Sequence, residues 1–313
     1  MKYLPSSEER IWAILAHLSA IAAGMGIPLP IIAWAEKRRK SNYVAFQCLQ
    51  ALGYQSLGYT IWFFIYFLVM CLLLIALMIM LRVTSESPRS ADTLLGIWMG
   101  IFFFTLFTFL GIYFISPIIA AIACGLGKDF RYPIMGNRLA RYLGYDPSKT
   151  AEEVGLIEDH EERWVAAMGH FSIIILLYGM LAPLTAWIIR GKHSPFLKLQ
   201  SIQTLIYQAS ANLLYFGSAF SFFFGMIVLF IASISGRGAA FDSSQEMIAL
   251  GIFMFFTLLG LFLILLMPLM HIGGQWAGYR TLKGDDYCYP LIGKIVEKRI
   301  STSLKTEAKE ATS

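Results

Sequence analysis

The sequence predicts an all-α fold: a polytopic helical membrane protein made of two parallel repeats, each a broken N-terminal hairpin plus two long helices. Three observations predict it. First, 57% of the 313 residues are hydrophobic and only 14% charged, whereas a soluble domain carries about 25% charge. Second, uncharged runs fill 43–81, 94–126, 164–189, 199–235 and 247–279, each longer than the roughly 20 residues that cross a hydrocarbon core. Lipid cannot hydrogen-bond the backbone, and these runs lack the alternation of barrel strands, so they must be helical. Third, sliding the chain along itself by 153 positions aligns 8–55 with 161–208 without a gap.

That alignment holds 17 identities in 48 positions, among them Glu9/Glu162, His17/His170, Pro30/Pro183, Trp34/Trp187, Ser41/Ser194 and Tyr54/Tyr207. Shared hydrophobicity does not produce such matches, so the chain is a duplication. The modules fall at 1–144 and 160–300, with a Pro/Ser/acidic linker at 145–159 and a polar tail at 301–313.

Taking the elements in order, Met1–Arg10 holds Glu8 and Glu9 and does not look like a cleavable signal, so the first apolar segment is expected to be retained. Segments 11–35 and 164–189 are each interrupted, by Gly24, Gly26, Pro28 and Pro30 in one and by Gly179 and Pro183 in the other. Glycine tolerates a bend, and proline removes a donor and clashes with the preceding turn. Segment 43–81 is too long for one crossing, since 39 residues of helix reach about 58 Å against a core of about 30 Å. Its first part carries Gln47, Gln50 and Gln55, and its counterpart carries Gln200, Gln203 and Gln208. That part is expected at the cytoplasmic boundary or lining the module interior, with 58–81 and 211–235 crossing. Segments 94–126 and 247–279 return. Stretches 132–143 and 289–300 mix apolar and basic residues at helical spacing, as helices lying on anionic headgroups do.

Charge decides the topology. Six single crossings would place 14 Lys/Arg on one side and 11 on the other. If segments 11–35 and 164–189 instead return to their starting side, 22 of the 25 basic residues share it and only Arg82, Arg89 and Arg237 face the other. The positive-inside rule selects the second arrangement in a cell (inner) membrane, with both termini cytoplasmic. A kinked but fully crossing helix is the alternative.

The run Glu-Arg-Ile-Trp-Ala-Ile-Leu-Ala-His-Leu-Ser (9–19), the Pro-Leu-Pro-Ile-Ile-Ala-Trp (28–34) before a basic turn, the Gln-rich start of the next helix and the closing Tyr-Pro-Leu-Ile-Gly (289–293) together resemble the bacterial Tic-twenty-like membrane domain of unknown function. The resemblance covers nearly all of both modules and implies a four-element helical module without a settled activity.

No catalytic motif is present: no HExxH, P-loop, GxSxG or dinucleotide fingerprint. The apolar runs also lack the intramembrane charges that coupled pumps keep. The chain is therefore expected not to be an enzyme. Cys48, Cys71, Cys124 and Cys288 show no CxxC pairing and suggest neither metal nor disulfide. His17 and His170 occupy equivalent positions. Imidazole there either ligates haem or a pigment or hydrogen-bonds a carbonyl or glutamine to fix the hairpin. The glutamine rows either line a polar path or tie helices together. Lys37, Arg38, Arg39 and Lys40 form a basic turn suited to anionic lipid headgroups. Spacings such as Gly96–Gly100 and Gly274–Gly278 permit close helix approach.

These readings favour a non-enzymatic scaffold or accessory subunit whose modules pack about a pseudo-two-fold axis, with the lipid bilayer, a membrane-protein partner or a second copy as its contacts, and no nucleic acid. A passive channel or carrier at the module interface is the alternative, and a haem- or pigment-binding subunit the third.

Overall fold

A computed structural model describes residues 4–83, 88–149, 155–235 and 243–299. The tail 301–313, linker residues 150–154 and Arg237 lie outside them. Among the described residues there is no strand. The first module comprises α1 (Ser7–Leu18), α2 (Pro28–Lys37), α3 (Asn42–Val83), α4 (Pro88–Gly125) and α5 (Met135–Leu143). The second comprises α6 (Glu158–Phe171), α7 (Leu181–Arg190), α8 (Pro195–Ser235), α9 (Ser243–Leu265), α10 (Met267–Leu282) and a last helical stretch at 292–299. The protein is thus a multi-pass helical membrane protein built from two parallel repeats.

Each module opens with the broken hairpin. Ser6 caps α1 by accepting from the Glu9 N–H while the Glu9 carboxylate accepts from the Ser6 N–H, a reciprocal box that satisfies two orphan donors. After Leu18 the chain tightens into a 3-10 turn, reverses through left-handed Ala23 (φ 47°) and Gly24 (φ 90°), and enters α2 at Pro28, where a missing N–H costs nothing. In the second module a 3-10 stretch, Ser172–Met180, makes the same reversal. The legs approach closely at one matched glycine. A Cβ on Gly26 would stand 1.8 Å from the Ser19 carbonyl oxygen, and one on Gly179 2.0 Å from that of Ser172.

The hairpin ends meet. Lys37 pairs with Glu8 and the Ser41 hydroxyl donates to Glu9. In the second module Ser194 donates to Glu162 at 2.6 Å and Arg190 lies 3.4 Å from the same carboxylate. A continuous helix would separate residues 8 and 37 by about 43 Å, so the crossing alternative is excluded. Glu158–Arg190 is long and apolar enough to span a membrane, but these contacts fold it back on itself.

Beyond the hairpins the long helices change character. From Tyr43 to Ser56 α3 is buried throughout, whereas Phe64, Phe67, Leu68, Leu72 and Met78 are exposed as lipid-facing residues are. The glutamine-bearing part therefore lines the module interior. In the return strokes α4 runs unbroken through Pro117, while the second module breaks at Leu266 and restarts with Pro268 in the first turn of α10. Gly274 and Gly278 admit Ile173 and Phe171, but among the described residues nothing comes within 4 Å of a Cβ placed on Gly96 or Gly100.

Two expectations need correction. The apolar face of α5, with Leu139, Ala140 and Leu143, packs into the same buried cluster as Phe46, Leu49 and Trp164. It is consumed by protein and does not lie on headgroups, although Arg138 and Arg141 remain exposed. The modules also lack a two-fold relation. The Trp164 indole N–H donates to the Leu49 carbonyl at 2.8 Å and its ring sits against Gly53, so α6 of the second module docks on α3 of the first. A two-fold would place Ile11 of α1 equally against α8, yet Ile11 is 56% exposed while Trp164 is 6%. The seam joins two different faces.

Candidate functional site

The polar residues singled out in the sequence assemble into one cluster per module. In the first, Gln47 and Gln50 stand one turn apart on α3 and face the segment that follows α4. Both side-chain amides donate to the Phe130 carbonyl, at 3.1 and 3.0 Å, and Gln47 also donates to Asp129. With its NH2 so committed, the Gln47 oxygen accepts from His17 Nε2 at 3.0 Å. That fixes the tautomer: Nε2 carries the proton, and Nδ1 accepts from the Tyr132 hydroxyl at 3.1 Å. The Tyr132 N–H donates to the Gln50 oxygen at 2.7 Å, and its ring stacks on Tyr54 with centroids 4.4 Å apart.

The second module repeats this arrangement. His170 bridges Gln200 and Tyr289, both at 3.0 Å, while Gln200 and Gln203 donate to the Tyr287 carbonyl and Tyr289 stacks on Tyr207 at 3.9 Å. Burial pushes the Tyr132 and Tyr289 phenols well above their ordinary pKa, so both stay protonated as the donors the imidazoles need. One turn deeper, Gln55 donates to Ser19 at 2.8 Å, and Gln208 to the Gly169 carbonyl at 2.8 Å and to Ser172. These bonds hold α1 and α6 to the long helices at the point where each hairpin reverses.

Several placements bear on chemistry. Each imidazole has both nitrogens engaged by protein, so a haem iron or pigment metal would have to displace Tyr132 in the first module, and both Tyr289 and the Thr204 hydroxyl at 2.9 Å in the second. The glutamine rows bond within their own modules, so no path between the modules is lined by them; the post-helix carbonyls draw the amides inward. Among the described residues no three His, Cys, Asp or Glu are grouped to hold a metal. Tyr132 and Tyr289 were missed as site residues, although their Tyr-Pro motif repeats.

The basic turn is the larger correction. Arg38 is not presented to headgroups: its side chain is 2% exposed and lies 2.9 Å from Glu161, 3.1 Å from Glu158 and 3.2 Å from Glu162, all in the second module. The Trp34 indole donates to Glu161 at 3.0 Å beside it. Arg39 pairs with Glu158, Lys37 with Glu8 and Lys40 with Glu36. Arg38 and Arg39 thus fasten one module to the other, while Lys37 and Lys40 pair within their own, because carboxylates are the nearest counter-charges.

A family model, MamF/MmsF, described as the magnetosome magnetite crystal formation protein family, matches residues 8–139 and again 161–296. The chain belongs to this family. It carries two MamF/MmsF modules in tandem, and both matched stretches contain the hairpin, the glutamine row and the closing Tyr-Pro segment. The resemblance to a Tic-twenty-like domain is thereby overturned, since the residues that carried it lie within the MamF/MmsF matches and are those that build the hairpin and its polar cluster. No curated protein and no solved structure matches the chain at a significant level.

Proposed function

We propose that this protein is a non-enzymatic scaffold of the magnetosome membrane, acting in magnetite crystal formation through protein and lipid contacts, with its basic end and both termini on the cytoplasmic side. One observation carries the reading beyond family membership: the polar side chains that the sequence offers for chemistry are spent on internal bonds that clamp each hairpin to its module. The excess of basic residues on the hairpin side supports the orientation.

The test replaces the chromosomal copy in a magnetite-forming host with a deletion, and separately with the seam variant Arg38→Met. Electron microscopy then counts and sizes the crystals. Altered crystal size or number in intact vesicles is expected for the deletion, with a partial effect for Arg38→Met. Unchanged crystals after deletion would refute the role, and iron oxidation or solute flux by the purified protein in liposomes would refute the non-enzymatic scaffold.

A further inference from the structure

A seam that joins two unlike faces leaves one copy of each face unused. In the chain, α3 of the first module receives α6 and the 3-10 stretch of the second, while α2 packs beside α7 and reaches α6 through Trp34 and Arg38. The receiving face recurs on α8 and on the side of α7 that carries Trp187, away from α2, and the inserted face recurs on α1. Both recurrences are apolar and uncovered: Trp187 is 40% exposed where Trp34 is 0%, and Leu15 is 42% exposed where its counterpart Met168 is 0%.

Exposed apolar residues in a membrane protein ordinarily meet lipid, but the long arms argue against it here. Residues 61–81 of α3 and 94–113 of α4 are each about 30 Å of helix, one full hydrocarbon thickness. Tyr59, Trp62 and Tyr113 cluster where the arms join the hairpin layer, the position of an interfacial aromatic belt. With the arms filling the bilayer, the hairpin layer stands at its basic edge and its apolar flanks need another cover.

The two free faces also fit each other. Inside the chain, Trp164 lies against Gly53, where a Cβ would come within 2.5 Å of the ring. On the free faces the same two positions hold Ile11 and Ile206, so a large and small pair is exchanged for two of middle size. The Trp187 indole would meet Glu8 as Trp34 meets Glu161. Gly191 stands where Arg38 does, so the junction lacks the buried ion cluster and is weaker than the seam within the chain.

We propose that copies of this protein join head to tail, α7 and α8 of one seated on α1 of the next, continuing the internal seam. Heterologous joints of this kind generate rings or open rows according to whether the rotation closes. The inference rests on the scaffold reading and names its partner as a second copy.

The experiment is oxidative cross-linking of the full chain in native membranes. The double variant Ile11→Cys/Ile206→Cys is expected to give a ladder of dimer, trimer and higher species on a non-reducing gel, with the native sequence as control for its own four cysteines. Each single variant is expected to stay monomeric, because a head-to-tail joint never brings a residue against its own copy. Monomer from the double variant overturns the proposal, as does dimer from either single variant. As a second readout, Trp187→Arg in mild detergent is expected to shift the native particle to the mass of one chain while its circular dichroism and unfolding transition stay native-like; unchanged mass overturns it. A monomer that co-purifies with a different membrane protein would sink the joint but leave the scaffold role standing. A ladder alongside unchanged crystals in the deletion strain would do the reverse.

Discussion

Replacing Arg38 with methionine tests the seam most directly. The guanidinium serves three carboxylates, but they do not depend on it equally. Glu158 is half exposed and keeps Arg39 at 2.6 Å, and Glu162 keeps Ser194 at 2.6 Å and Arg190 at 3.4 Å. Glu161, with a side chain 3% exposed, keeps only the Trp34 indole. The substitution therefore strands one buried carboxylate, a change that costs about 3–5 kcal/mol when one partner of a buried pair is removed. Replacing both partners with apolar residues of similar size is nearly neutral or stabilising. Reversible SDS unfolding in mixed micelles, followed by tryptophan fluorescence, should show Arg38→Met well below the native protein. Arg38→Met/Glu161→Met should recover most of the loss, giving a coupling energy of about 2 kcal/mol or more. If Arg38→Met alone unfolds with native stability, or the double variant is as weak as the single, the reasoning from a stranded carboxylate is wrong.

Further expectations follow from the hairpins and clusters. His17→Leu leaves the Tyr132 hydroxyl without its acceptor, and His170→Leu does the same to Tyr289; each is expected to cost about 1–3 kcal/mol in the same unfolding assay, and a Soret or pigment band in the purified native protein would contradict a purely structural imidazole. Gly26→Ala and Gly179→Ala push a methyl into a backbone carbonyl and should lower the accumulation of folded protein, whereas Gly96→Ala, with open space around it, should be neutral or stabilise by up to about 1 kcal/mol; equal effects would show that the legs do not approach as described. Cysteines placed at Lys40 and Lys192 should label from one side of sealed vesicles and a cysteine at Arg82 from the other. Labelling of Lys40 and Lys192 from opposite sides would dismantle the parallel arrangement.

Comparing the repeats shows why some of this was legible in advance. Positions identical between them, such as Glu9, His17, Ser41, Gln47, Gln50 and Gln55, build the module: they close the hairpin and clamp it to the long helix. Duplication exposes them because each copy must solve the same folding problem. Positions that differ decide which copy of each face forms the seam, although Trp34, Glu161 and Glu162 within it have identical counterparts in the other repeat. Arg38 against Gly191, Gly53 against Ile206 and Trp164 against Ile11 read in the sequence only as drift, and the basic turn read as a headgroup site. The tyrosines of the closing segment were overlooked because their partners lie 115 and 119 residues away.

The sequence by itself determined the medium, the helical fold and the duplication, and its charge favoured hairpins over crossing helices, because apolar length, a repeated pattern and the placement of charge are properties of the chain read in order. It also supplied the polar residues of each cluster. Only the tertiary structure decided what those residues face, that Arg38 turns inward to a carboxylate more than 120 residues away, and that the modules meet by unlike surfaces. Such choices depend on which side chains fit and neutralise one another once distant segments are brought together, and no local pattern of residues encodes that geometry.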